Sequence, residues 1–403
     1  MAAASLAYRP GEAEAVAHAL VTGKPGSAIG AEELASLRAR IGEGPVRVVL
    51  GRPDQAESAD SITSAALRLA DLPDVSFLPV LRRANVMGAL DMGMSPGLLP
   101  GRTLLQGARD HLGAGWDNLP SEVGLDTQEI LEAATEGEID VLVLVGADPA
   151  VDFGDKGLAL AALGAAHTVI SLDQFVTAST GLADIVLPVS GFAEVSGTTT
   201  NLEGRVSALD QKVSPPGTSR SDWMVAAELA LRLDADLGLE SVDQITEEIA
   251  QVAPSHVGFT PDAMRSSEEG MLAAPGPIGT AGIARDTSDA PEPVETPAGH
   301  LRLLVRRSLY DLGTQVTHSP SSAPLIATGR FVMHPTDAQT LGLADGAAVT
   351  VTSVKGPMSG QMQVDAGVTP GTVLSWANVE AADGSYLIDI DSYFTSVTVE
   401  AAG

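Results

Sequence analysis

The chain has no cysteine. Iron–sulfur clusters are held by Cys thiolates, so no ordinary cluster can be ligated by this sequence. Disulfides and a thiol nucleophile are excluded with it, and the lack fits a reducing compartment. Aromatic residues make up 3% of the chain, whereas hydrophobic residues together make up 44%. A core of that size must be built from Ala, Val, Leu and Ile. Basic residues are scarce as well: 23 Lys and Arg stand against 52 Asp and Glu, a net charge of −29. That balance argues against nucleic acid, which needs clustered cations, and against an anionic membrane surface. It reads as a solvated acidic exterior. No apolar run approaches the roughly 20 residues of a membrane-spanning helix, and Met1 to Pro10 lack the layout of a signal peptide. The histidines have no metal-ligand spacing, so no metal site is expected. Dinucleotide and Walker glycine fingerprints and a nucleophile elbow are also absent.

The 403 residues are enough for two or three domains. Residues 11–252 alternate helical periodicity with short apolar strands. Ser58 is a candidate cap for a helix facing inward with Ile62, Ala65, Ala66 and Leu69. Residues 84–119 carry many glycines and prolines between apolar residues and read as a long, packed surface loop. Asp126 and Glu129 have capping-box spacing for a helix ending near Glu136. Three apolar strands follow, 140–145, 168–172 and 184–189, separated by helical stretches. Strands without alternation, joined by helices, imply a parallel sheet covered on both faces. A helix after Ser221 is expected to bury Trp223, Ala226, Ala227, Ala230 and Leu233. Ser241 and Gln244 have the spacing to cap another. Residues 254–299 are rich in Pro, Gly and acidic residues and read as a linker. Residues 300–403 have β character, with a short helix after His334-Pro335 that ends at Gly342. The expected division is 1–253, an α/β domain clearest over 140–205; 254–299, a linker; and 300–403, a β domain.

Ligands of parallel sheets bind beyond the carboxyl ends of the strands, which here are Gly146–Pro149, Asp173–Phe175 and Ser190–Glu194. In Gly146-Ala147-Asp148-Pro149, backbone N–H groups are candidates to face a phosphate or pterin. The plain alternative is a strand-to-helix turn capped by Asp148. In Asn201-Leu202-Glu203-Gly204-Arg205, Asn201 and Arg205 are candidates to hold an anion. The alternative is a turn in which Gly204 supplies positive φ and Arg205 pairs with an acid. His334 and Asp337 read as helix-start residues rather than a catalytic pair. Arg82-Arg83 and the Met- and Gly-rich stretch 87–101 are candidate partner contacts.

Taken in order, the strand 141–145 with Gly146-Ala147-Asp148-Pro149, Val169–Asp173 with Gln174-Phe175-Val176-Thr177, Ala183–Pro188, Glu194, Gly197-Thr198 and Asn201–Arg205 resemble the molybdopterin oxidoreductase superfamily. Val332–Val351 is similar to that superfamily's C-terminal dinucleotide-binding barrel. Leu81–Arg102 resembles the large iron–sulfur subunits of NADH-quinone oxidoreductases. The resemblance spans roughly residues 45–250 and 300–400. It implies a Rossmann-like parallel-sheet domain followed by a double-psi type β-barrel. It carries over as pterin-facing positions only Gly146, Asp148, Asp173, Asn201, Glu203 and Arg205, as vestiges. Asp148 stands where molybdenum enzymes often have Asn, and no position matches their metal-ligating residue. In the respiratory family the iron–sulfur clusters belong to N-terminal regions with cysteines, which this sequence does not contain.

The resemblance therefore implies a non-catalytic structural part of an NADH-quinone oxidoreductase peripheral arm. No catalytic residue, cofactor or metal is expected in this chain. The implied partners are the other subunits of that complex, above all the cluster-bearing ones, on the cytoplasmic face of the inner or plasma membrane. A second reading is a cofactor-binding piece of a molybdopterin-dependent oxidoreductase such as a formate dehydrogenase. A third is a stand-alone small-molecule or nucleotide-binding protein.

Overall fold

The computed structural model describes residues 4–26, 28–42, 44–52, 54–81, 83–105, 116, 119–274, 291 and 294–402. The chain divides into two compact units, each assembled from separate stretches of sequence. The first takes Met1–Pro79, Pro149–Ala159 and Arg285–Gly403; the second takes Val80–Asp148 and Leu160–Ala284.

The heart of the first unit is a closed six-stranded barrel. Its strands run in the order Leu301–Arg307, Thr372–Ala377, Phe331–Met333, Gly356–Val364, Ala348–Ser353 and Ser396–Ala401. Closure removes every exposed strand edge. Leu303, Val305, Phe331, Met333, Val349, Val351, Met362 and Val373 fill the interior and are fully buried. Each such side chain contributes about 1.5–3 kcal/mol by leaving water. Gly356-Pro357, a dipeptide typical of turns, instead opens the strand Gly356–Val364. Ser353 pairs with Gly356, so Val354-Lys355 make the tight hairpin turn. The helix Pro335–Leu341 begins where expected: His334 Nδ1 accepts from the Thr336 N–H at 3.1 Å, and Gly342 ends it in the left-handed region. Asp337 does more than favour a helix start, because its Oδ2 accepts from the Gly371 N–H at 2.7 Å.

Residues 54–58 are bound to the barrel by main-chain hydrogen bonds. The Gln55 N–H donates to Val305 O, the Thr395 N–H to Ala56 O and the Ser58 N–H to Tyr393 O. Ser58 also caps the helix Ala59–Leu69, which packs Ile62, Ala65 and Leu69 against Ala13 and Ala17 of the helix Ala13–Thr22. Arg68 and Glu14 join these helices in a buried ion pair. The strands Val46–Leu50 and Val75–Pro79 form a parallel pair.

The second unit holds the parallel sheet Val141–Val145, Thr168–Asp173 and Ile185–Pro188, in that order. The capping box is made in both directions: Asp126 accepts from Glu129 N–H, and Glu129 accepts from Asp126 N–H. The sheet is parallel as expected, yet among the described residues one face is left open along its first strand: Val141, Val143 and Val145 are 52%, 49% and 54% exposed, whereas Leu142 and Leu144 are buried. The helix Asp222–Arg232 departs in the same sense: no residue on it is buried, Leu233 just beyond it is exposed, and Ser221 makes no side-chain cap. Apolar composition reveals which faces seek cover, but not whether the neighbour that covers them lies in the same sequence.

Two stretches are more regular than their composition suggests. Residues 84–105 contain the helix Val86–Asp91 and a small hairpin, Leu98–Leu99 with Thr103–Leu104. Gly93 sits so close to the Leu99 backbone that a Cβ would approach it to 2.9 Å, so glycine permits compact folding there. Residues 106–115 and 117–118 lie outside the described residues. Of the expected linker, 254–274 carry a turn at Pro254–His256, the helix Pro261–Ser266 capped by Thr260, and the strand Met271–Leu272. Val206, Phe259 and Met264 form a small core there. Most of the rest of that stretch, 275–290 and 292–293, lies outside the described residues.

Candidate functional site

The carboxyl ends of the parallel sheet are the natural place for a ligand, and each candidate residue there has a definite partner. Gly146, at φ 58°, continues the strand by donating its N–H to Leu172 O at 2.8 Å. Asp148 is buried, and its Oδ1 accepts from both the N–H and the hydroxyl of Ser179, at 3.1 and 2.5 Å. Asp173 accepts from the Gln174 and Phe175 N–H groups of its own turn. Glu194 accepts from the Gly191 N–H. Partial desolvation by its neighbours raises the Asp222 carboxyl above its ordinary value, although the residue is exposed, and the charge of Asp173 adds to the shift.

Asn201, Glu203 and Arg205 belong to a different sheet. Gly197–Thr200 and Arg205–Leu209 pair antiparallel, and residues 201–204 are the turn between them. Asn201 Oδ1 accepts from the Glu203 and Arg205 N–H groups, Gly204 takes φ 80°, and Arg205 pairs with Glu203 at 3.2 Å. These contacts account for the residue types as a turn.

An anionic pterin cofactor needs free donors and positive charge. These six residues do not fit one. The side-chain acceptors are engaged in local turns, the sheet end carries Asp148, Asp173, Glu194 and Asp222, and Arg205 is already paired. Among the described residues no group of three or more His, Asp or Glu is placed to hold a metal. Because Asp148 fixes the Ser179 turn, Asp148→Ala should lower stability by about 1–3 kcal/mol, the scale for removing a buried acceptor. Urea unfolding of the two proteins side by side would show it, and equal midpoints would make Asp148 dispensable.

The first unit holds a constellation that sequence reasoning missed. Lys156 is buried, and its Nζ donates to Asn378 Oδ1 and Asp383 Oδ2, both at 2.9 Å, over the Tyr386 ring. Asp383 also accepts from the N–H and hydroxyl of Ser385. The loop they secure is strained, with Asn378, Ala381 and Ala382 at φ 55°, 58° and 42°. With Lys156 neutralised by Asp383, the cluster acts as a lock on that loop. The only local signal was an Ala-Ala-Asp-Gly turn; its lysine lies 227 positions away.

Of the expected contact residues, Arg82 lies outside the described residues, Arg83 is exposed and Met94 is exposed.

Comparison with known proteins places this geometry. Residues 51–232 match the model of the molybdopterin oxidoreductase family, and residues 301–385 match that of the molydopterin dinucleotide binding domain. The second G-type subunit of NADH-quinone oxidoreductase in Rhizobium meliloti is 32% identical over 77% of this chain and 36% of its own length. F420-dependent formate dehydrogenase 2 subunit alpha of Methanococcus maripaludis is 29% identical over 75% of this chain and 48% of its own length. The chain thus spans between about a third and a half of these curated relatives. Acetylene hydratase from Pelobacter acetylenicus shares the fold, with a TM-score of 0.59 at 14% identity, covering 98% of this chain and 71% of the other. The two family matches, together with G-type relatives 31–33% identical over most of this chain, show that the chain belongs to the molybdopterin oxidoreductase superfamily and is similar to a C-terminal portion of the G-type subunits of NADH-quinone oxidoreductase.

Proposed function

We propose that the chain is a non-catalytic structural part of an NADH-quinone oxidoreductase, bracing its peripheral arm on the cytoplasmic side while partner chains carry electrons from NADH to quinone. The observation that supports this most is the carboxyl edge of the parallel sheet. The superfamily's ligand position is occupied by the protein's own acids, and Asp148 is spent on Ser179. The lack of cysteine adds to it, since electron transfer through clusters would need thiolates from other chains. Among the described residues no helix is long and apolar enough to cross a membrane, so attachment to the membrane would run through partners, the cluster-bearing subunits first.

The likeness to a formate dehydrogenase subunit favours a second reading, a molybdopterin-dependent oxidoreductase. Two measurements separate them. Tagged chain isolated from its own cells should bring down dehydrogenase components, and its oxidised extract should show pterin fluorescence and molybdenum far below one equivalent. About one pterin per chain would replace the first reading by the second. A chain that never co-purifies with a dehydrogenase component would remove the complex.

A further inference from the structure

The uncovered side of the parallel sheet is specific in shape. Val143, Ile170 and Ile185 lie side by side in register across the three strands, so they share one face with Val141 and Val145. Ile185 is 45% exposed, much like the three valines. Parallel sheets occur almost only with both faces buried. The face is mostly apolar, with Thr168 beside Val141 and the buried Leu172 beside Val145, whereas a face meant for water carries polar residues at every second position of each strand. The border of that face is bare as well. Among the described residues Val141–Val145 is an edge strand, paired on one side only, with Thr168–Asp173. Protected edges carry Lys, Pro, a bulge or an inward charge. Val-Leu-Val-Leu-Val has none of these.

A cover for both needs a strand beside Val141–Val145 and a helix crossing the face, the strand-and-crossover unit from which parallel sheets are built. A second copy of this chain is a poor occupant, because each copy carries a net charge of −29. Asp140 and Asp184 stand exposed at the amino ends of the two edge strands, so the rim of a complementary partner is basic. The Rhizobium meliloti relative carries well over half of its length outside the matched stretch.

We propose that the edge strand Val141–Val145 and the face it borders are a docking site for a strand-and-helix segment of the polypeptide that the relatives carry outside the matched stretch. The proposal rests on the reading that this chain works inside a larger oxidoreductase, and it names the surface through which it does so. The association is a strand addition, in which main-chain hydrogen bonds supply affinity and the valine face supplies register.

The test uses the full 403-residue chain and, as probe, a purified fragment of the Rhizobium meliloti relative comprising its sequence outside the match. Binding is followed by sedimentation and titration. Wild type should bind the fragment one to one. Val143→Lys and Ile185→Lys should weaken binding at least tenfold while circular dichroism and melting stay unchanged, since both positions are half in water. Val143→Thr, close in shape, guards against misfolding and should weaken binding less. Val354→Lys, on an exposed hairpin turn of the first unit, should leave it unaltered. Equal affinity for wild type and the lysine variants would overturn the site. A wild-type dimer lost in those variants would overturn the proposed occupant. If wild type fails to bind the fragment but co-purifies with dehydrogenase components, the docking proposal falls and the structural role stands. If neither association occurs, both fall.

Discussion

Arg302→Met is expected to cost the first unit about 3–5 kcal/mol, the range for removing one partner from a buried charged network. The Arg302 side chain is 1% exposed. Its Nη1 donates to Pro10 O, its Nη2 to Val294 O and its Nε to Thr296 Oγ1. The guanidinium also lies 4.2 Å from the centre of the Phe394 ring and 3.9 Å from Glu12. Methionine fills part of the volume but leaves carbonyls without donors. Lysine would keep the charge without the planar fork, and should recover less than half of the loss. Trp376 reports on this unit, whereas Trp116 and Trp223 belong to the other. Urea unfolding in a Trp116→Phe, Trp223→Phe background therefore isolates the effect. A change below about 1 kcal/mol would show that other contacts hold the N-terminal stretch on the barrel.

The second large effect is a dependence on pH. Asp54 is buried against the barrel, where Oδ1 accepts from the Ala56 and Val305 N–H groups while Oδ2 has no hydrogen-bond partner. Burial raises its carboxyl from the ordinary 3.8 to about 7, against the pull of the two N–H groups. A raised folded-state value means that the folded chain keeps its proton where the unfolded chain has lost it. The contribution is fully present below the unfolded value and is lost as pH rises through the folded one. Between about pH 4 and 7 Asp54 should thus remove on the order of 4 kcal/mol of stability. Asp54→Asn keeps the Oδ1 acceptor without the charge, so its stability should fall less over that window. Unfolding free energies at pH 5 and pH 8 for both proteins supply the comparison. Parallel pH curves would mean that the carboxyl titrates at its ordinary value.

Much of what was local could be read from the chain. The capping box at Asp126 and Glu129, the Ser58 cap, the Gly342 helix end and the three parallel strands depend on residues a few positions apart. Strands over much of 300–403 were legible from β-branched runs, but which strands are neighbours was not. The pairing of Leu301–Arg307 with Thr372–Ala377 is written in no short segment. Nor was the division into units, because 54–58 join Val305 and 393–395 through main-chain hydrogen bonds that carry no residue signature. The same limit hid Lys156 and Asp383. The six candidate positions were visible as unusual polar turns. Their shared signal could not distinguish a ligand-holding turn from one that holds itself together, as Asp173 and Asn201 do.

Barrel closure has a consequence for how the protein is made. Leu301 pairs with Val397, so the first stave meets the last only after nearly a hundred further residues have been joined. The stretch 54–58 waits far longer for Val305 and Thr395. At the usual pace of about 5–20 residues per second, that delay is on the order of tens of seconds. Over that interval the helices Ala13–Thr22 and Ala59–Leu69 have one another but not the barrel. The sheet of the second unit, built from strands close in sequence, can assemble meanwhile. The nascent chain thus completes a middle portion before its beginning, and a ribosome stalled near residue 390 would hold an N-terminal segment with no barrel to rest on.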